Sequence, residues 1–222
     1  MRKAAESMKR ALARASAGVG GAFERGTVAV VAGVACIALT AIAGLGLDGA
    51  GYALARSEQA AASEACIQAV EGETATAVKF SATPGREVAE VCRSVLSANG
   101  YDGAAALHYW EDKTASTQTD RRYCYAIELD GGYRSMFGSV VGRDELAVKT
   151  TTFGSERLYN SEKVWRPNWT NEADAAAYSV DCGTFSWDAS KGEAAPISFD
   201  GAPSADSFPA HVRDGFASMR GQ

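Results

Sequence analysis

Few residues in the chain can do chemistry. Its 222 residues include two histidines, His108 and His211, and five cysteines. His108 stands between Leu107 and Tyr109 in an alternating stretch and reads as a structural strand residue, and His211 lies near the C-terminus. No Gly-x-Ser-x-Gly elbow, phosphate loop or His-Glu-x-x-His occurs. Glu111-Asp112 and Asp144-Glu145 are adjacent carboxylates that read as solvated strand ends. Trp110, Trp165, Trp169 and Trp187 are the raw material for a sugar or peptide groove, or for ordinary packing. Asn168-Trp169-Thr170 matches an N-glycosylation pattern. The expectation is a protein that is not an enzyme and takes no cofactor.

The cysteines argue the same way. There is no Cys-x-x-Cys, and neither histidine stands at ligand spacing from a cysteine, so no metal is expected. Cys36 falls in an apolar run and reads as a small packing residue. Cys66, Cys92, Cys124 and Cys182 lie in the body of the chain, an even number consistent with two disulfides in an oxidising compartment. Three pairings are open. The expected one is Cys66–Cys92 with Cys124–Cys182, each joining neighbouring elements.

Charge divides the chain. Residues 1–26 carry a net +4 and the remainder −9. An acidic body lacks the basic surface on which counterion release depends, so no nucleic-acid partner is expected. Between these parts, Thr27–Leu47 is uncharged over 21 residues, about 31 Å as a helix. That is enough to cross a hydrocarbon core of about 30 Å, which makes the lipid bilayer an expected partner. Only nine of the 21 are Val, Ile or Leu, so the span is weakly hydrophobic. The basic flank places the N-terminus in the cytoplasm and the acidic body outside. Ala41-Ile42-Ala43 offers a signal-peptidase pattern, but the long basic leader and the helix pattern running through it favour an uncleaved anchor. Ala32, Cys36, Thr40 and Gly44 recur every four residues, the spacing at which small side chains let another membrane helix approach. Asp48 and Tyr52 continue the series at the expected membrane exit.

The elements that would carry these residues are an α+β set. A helix from Gly49 to about Val70 follows the span, then an irregular connection with a short strand at 76–80. A second helix starts at Thr83-Pro84, ends at Gly100 and aligns Val88, Val91, Cys92, Val95 and Leu96. Strands are expected at 104–111, 121–129 and 145–153. Tyr123, Tyr125, Ile127 and Leu129 share one face of the second. Asp130-Gly131-Gly132 reads as a turn and 133–142 as a short helix. A further strand lies in 175–187. Residues 189–206 read as a linker before a terminal helix with Phe208, Val212, Phe216 and Met219 on one face. The domain reading is a basic cytoplasmic tail (1–26), a transmembrane helix (27–47), a stalk helix (48–72), an extracytoplasmic α+β head with a mainly antiparallel sheet (73–188), and a linker with a short helix (189–222).

Residues 26–70 resemble the N-terminal segment of the TadE/TadG-like proteins of Tad (Flp) pilus assembly. The features that carry the likeness are Gly26, the 27–47 span, Asp48, Tyr52, Leu54-Ala55-Arg56, Gln59 and Ala60-Ala61-Ala62. Gly26 is followed by Thr27-Val28-Ala29-Val30-Val31, without the Glu at the fifth position of cleaved prepilins, so the TadG-like segment is the closer analogue. A fainter similarity covers 123–151. The resemblance implies a single-pass protein of the bacterial inner membrane with a periplasmic C-terminal domain. It implies minor-pilin-like or accessory action through other pilus-assembly membrane proteins. The alternative is an anchored periplasmic module binding a glycan or peptide through the tryptophans.

Overall fold

A computed structural model describes residues 2–81, 83–111, 120–138, 142–159 and 181–219, with the backbone alone at 2–27, 72–80, 120–121 and 158–159. The chain divides into two compact units, Met1–Ala50 and Gly51–Gln222. Trp165, Trp169, the Asn168-Trp169-Thr170 pattern and residues 175–180 of the expected strand lie outside the described residues.

Helix α1 (Arg2–Phe80) supplies all the described secondary structure of the first unit and enters the second. No proline precedes Pro84, and the segment is rich in alanine, the best helix former. One glycine at position 72 costs about 1 kcal/mol, too little to break it. The short strand expected at 76–80 is therefore helix, and α1 ends just ahead of the Thr83-Pro84 step, where a residue before proline is pushed out of helical geometry.

In the second unit, α2 (Pro84–Ala98) opens with Pro84 in its first turn. Thr83 occupies the cap position without a side-chain bond. The Asp181 carboxylate caps instead, accepting from the Gly85 and Arg86 amides at 2.9 and 2.8 Å. Gly85 lets it come close, since a Cβ there would meet the Asp181 carbonyl and the Phe185 ring. The helix closes as expected at Gly100. That residue takes φ +70°, Tyr101 N–H donates to the Leu96 carbonyl, and Gly100 N–H donates to that of Ser97.

Five antiparallel strands follow: β1 (Ala104–Glu111), β2 (Asp120–Arg134), β3 (Glu145–Tyr159), β4 (Gly183–Asp188) and β5 (Ser198–Gly201), in the order β3-β2-β1-β4-β5. The architecture is α+β, a long apolar N-terminal helix followed by a small antiparallel sheet with helices. Asp130-Gly131-Gly132 is not a turn. It lies inside β2, paired with Lys149, Val148 and Ala147, and Tyr133-Arg134 continue the strand instead of starting a helix. Gly132 makes room for the Glu145 side chain, which a Cβ there would strike, while Gln59 and Tyr101 lie at ordinary contact distance over Gly131. The expected linker likewise belongs to the sheet, through a 3-10 turn at Ala189–Ala194 and the strand β5.

The strands alternate between two cores. Leu107 and Tyr109 of β1, Tyr123, Tyr125, Ile127 and Leu129 of β2, and Phe185 and Trp187 of β4 pack against Ala62, Cys66, Ile67 and Val70 of α1 and Val88, Ala89, Cys92 and Leu96 of α2. Part of the expected stalk is thus core of the head. The opposite face buries Cys124 and Ala126 under Phe208, Val212 and Phe216, the last two on α3 (Ala210–Met219).

Candidate functional site

The first candidate is the apolar stretch of α1. The described helix from Val28 onward is long and apolar enough to cross a membrane, with a mean hydropathy of 2.5 and 6% of that window buried. Val28, Val30, Val31, Val34, Ile37, Leu39, Ile42, Leu45 and Leu47 are all exposed. A core helix of a soluble protein would bury them. In the four-residue series, Ala32, Cys36 and Thr40 are exposed, Gly44 and Asp48 are buried, and Tyr52 is half-buried. The Thr40 hydroxyl donates to the Cys36 carbonyl at 2.9 Å, so it needs no water.

The second is the seat of α1 on the sheet. Gln59 is buried, and its amide nitrogen donates to the Leu129 carbonyl at 2.7 Å and the Val148 carbonyl at 3.1 Å, one on β2 and one on β3. One helical turn on, the Ser63 hydroxyl meets the Thr152 hydroxyl at 2.6 Å. Ala62, Cys66, Ile67 and Val70 complete the same face. Sequence analysis places Gln59 only within the family-like run. Its role follows from a polar residue standing on an otherwise apolar helical stripe.

The cysteines require a correction. All five carry free thiols, and neither expected disulfide is present. Cys66 and Cys92 are nonetheless neighbours: the Cys66 thiol donates to the Cys92 carbonyl at 3.7 Å. Burial, and then contact with Cys66, push the Cys92 thiol well up. Cys124 and Cys182 are kept apart. Cys124 pairs with Trp110 on one side of β1, while Cys182 precedes the β4 residue that pairs with Tyr109 on the other. Two strand spacings put their backbones roughly 10 Å apart, and a disulfide needs Cα atoms within about 7 Å. They also belong to different cores.

The two histidines meet under α3. His108 on β1 and His211 on α3 each place Nε2 at 3.3 Å from the same Glu128 oxygen on β2. The Thr184 hydroxyl on β4 lies 2.9 Å from His108 Nδ1. A carboxylate only accepts, so each Nε2 carries the proton, and neutral His108 accepts from Thr184 at Nδ1. Burial lowers the His108 pKa; the Glu128 hydrogen bond and charge oppose this, and His211 adds to it. His108 is 3% exposed, with the Phe208 ring edge-on at 5.9 Å. Its nitrogens are occupied by Glu128 and Thr184, so the cluster holds α3 to the sheet. Among the described residues, no group of three or more His, Cys, Asp or Glu is arranged to hold a metal.

The tryptophans do not share a groove where they are described. Trp187 is buried in the α1/α2 core, and Trp110 packs edge-on to Phe208 on the other face at 6.1 Å. An open cleft of about 520 Å³ beside Trp187 is lined by Glu128, Asp130, Asp188, Lys191 and Ser198, without Trp110. Another carboxylate, Glu156 on β3, has its pKa raised by burial and by the Glu71 charge, with Tyr123 opposing.

The chain matches no protein-family model, and neither the curated proteins nor the solved structures hold a match to it.

Proposed function

We propose that this chain is a single-pass membrane protein that acts by protein–protein association, as a minor-pilin-like or accessory component of Tad/Flp-type pilus assembly. The observation that carries the membrane part is nine large aliphatic side chains, exposed all round an unbroken helix. Water would penalise each by about 1.5–3 kcal/mol relative to burial, so this segment needs an apolar surrounding. The basic flank places the N-terminus in the cytoplasm and the head in the periplasm. The assembly part is supported by the Gly26-to-Val70 resemblance and by the seat of α1. Within the second unit, Gln59 and Ser63 fix the helix to the sheet.

The test is deletion of the gene in its host, with electron microscopy of surface filaments and a complemented control. Loss of filaments, restored by the wild-type chain and not by Ala32→Leu/Gly44→Leu, supports association through the small-residue series. Normal filaments and normal adhesion in the deletion strain overturn the assembly role. Protease protection in spheroplasts tests the topology separately: a head resistant to added protease overturns the periplasmic placement.

A further inference from the structure

We infer that Cys66 and Cys92 become a disulfide when the chain folds beside a thiol–disulfide oxidant, and that folding then shields the bond from reductants. Cys66 belongs to α1 and Cys92 to α2, and both are fully buried where these helices share a core. The Cys66 thiol reaches the Cys92 carbonyl at 3.7 Å, so the two residues touch in that core. Of the other cysteines of the head, Cys124 is on the far face, and Cys182, in the same core, has its sulfur beside the Glu111 amide, which donates to it at 3.4 Å. The fold therefore selects one link where the sequence allows two.

The step is ordinary exchange. One protein thiolate attacks an external disulfide, such as oxidised glutathione or the active-site disulfide of a thiol oxidoreductase, and releases one external thiolate. The second protein thiolate attacks the mixed disulfide, closes the 66–92 bond and releases the other. The protein loses two electrons and two protons, and the oxidant becomes two thiols. The thiolate is the reactive form. Burial disfavours it at Cys92 and bars access to both sulfurs. Exchange therefore runs before α2 docks on α1 and stalls afterwards in either direction. The oxidation state is recorded at folding, and the bond fastens the membrane-proximal helix to the head.

The test uses the full chain in detergent, reduced, unfolded and refolded in a glutathione redox buffer, then alkylated and digested with trypsin without reductant. The expected product is peptide 57–79 joined to peptide 87–93, which reductant separates after denaturation and leaves intact in the folded protein. Five alkylated cysteines after refolding, or a bond that includes Cys124 or Cys182, would overturn the assignment. Reduction as fast in the folded as in the denatured chain would overturn the shielding. If the wild type refolds poorly, Cys36→Ser/Cys124→Ser/Cys182→Ser keeps only the pair. A product that runs faster on a non-reducing gel than its reduced form then supports the link, and identical mobility sinks it.

Discussion

The two faces of the head's sheet are covered by the same strands' alternate side chains, yet they are closed by different means. On one face, α1 and α2 lie over aromatic and aliphatic residues from three strands, and Gln59 enters as a bonded polar group, donating to the Leu129 and Val148 carbonyls. On the other, the short helix α3 lays Val212 and Phe216 over Cys124 and Ala126 and is fastened by a cluster of His108, Glu128 and His211. The first face has the apolar area to make the fold cooperative. The second has an attachment that can open by itself.

The sharpest way to break this comparison is to hollow out both faces. Ile127→Ala removes a fully buried side chain between α1/α2 and the sheet, and should cost about 3 kcal/mol in chemical denaturation of the detergent-solubilised chain. Phe216→Ala, although a larger truncation, should cost only about 1–2 kcal/mol, because α3 can detach before the sheet unfolds. Hydrogen exchange separates the outcomes. Amides of Ala210–Met219 should lose protection in Phe216→Ala while those of β1 and β2 keep it. Uniform acceleration across the sheet would mean that the two faces form one cooperative unit.

This division was legible in the apolar spacing and obscure elsewhere. Tyr123, Tyr125, Ile127 and Leu129 share a face as their period of two requires, and Val88, Cys92 and Leu96 share one at helical spacing. Phe208, Val212 and Phe216 likewise foretold α3. The strand through Asp130-Gly131-Gly132 was hidden because adjacent glycines usually mark turns. Here Gly132 admits the Glu145 side chain, which a Cβ would strike, and Gly131 continues the strand under Gln59 and Tyr101. β5 was hidden because all four of its residues are exposed, leaving no alternation to read. The Cys124–Cys182 pairing failed for a topological reason: β4 reaches the sheet on the other side of β1 from β2. The His108–Glu128–His211 contact joins three elements, and no local pattern could announce it.

Gln59 sharpens the account of the stable face. Gln59→Ala removes both donors from the Leu129 and Val148 carbonyls and should cost about 1–2 kcal/mol. Gln59→Glu keeps the shape but turns an acceptor toward two carbonyls in a buried place, and should cost more than the truncation. Equal or smaller loss in Gln59→Glu would show that the seat rests on packing alone.

The smallest effect concerns the other face and depends on pH. Folding lowers the His108 pKa, chiefly through burial, with Glu128 opposing and His211 assisting. Below its ordinary value of about 6.5, the unfolded chain binds a proton at this residue that the folded chain resists, so stability falls as pH falls. The loss begins near 6.5 and levels off once pH passes below the folded value, where both states are protonated. Above 6.5 this residue contributes no slope. His108→Gln retains a donor for Glu128 and removes the titration, so its denaturation midpoint should vary less than wild type between pH 7 and 5. The wild-type loss should appear first as exchange in α3, since Glu128 also holds His211. A variant as acid-sensitive as wild type would assign the slope to groups other than His108, and α3 would then be held by packing of Phe208, Val212 and Phe216 more than by the histidine beneath it.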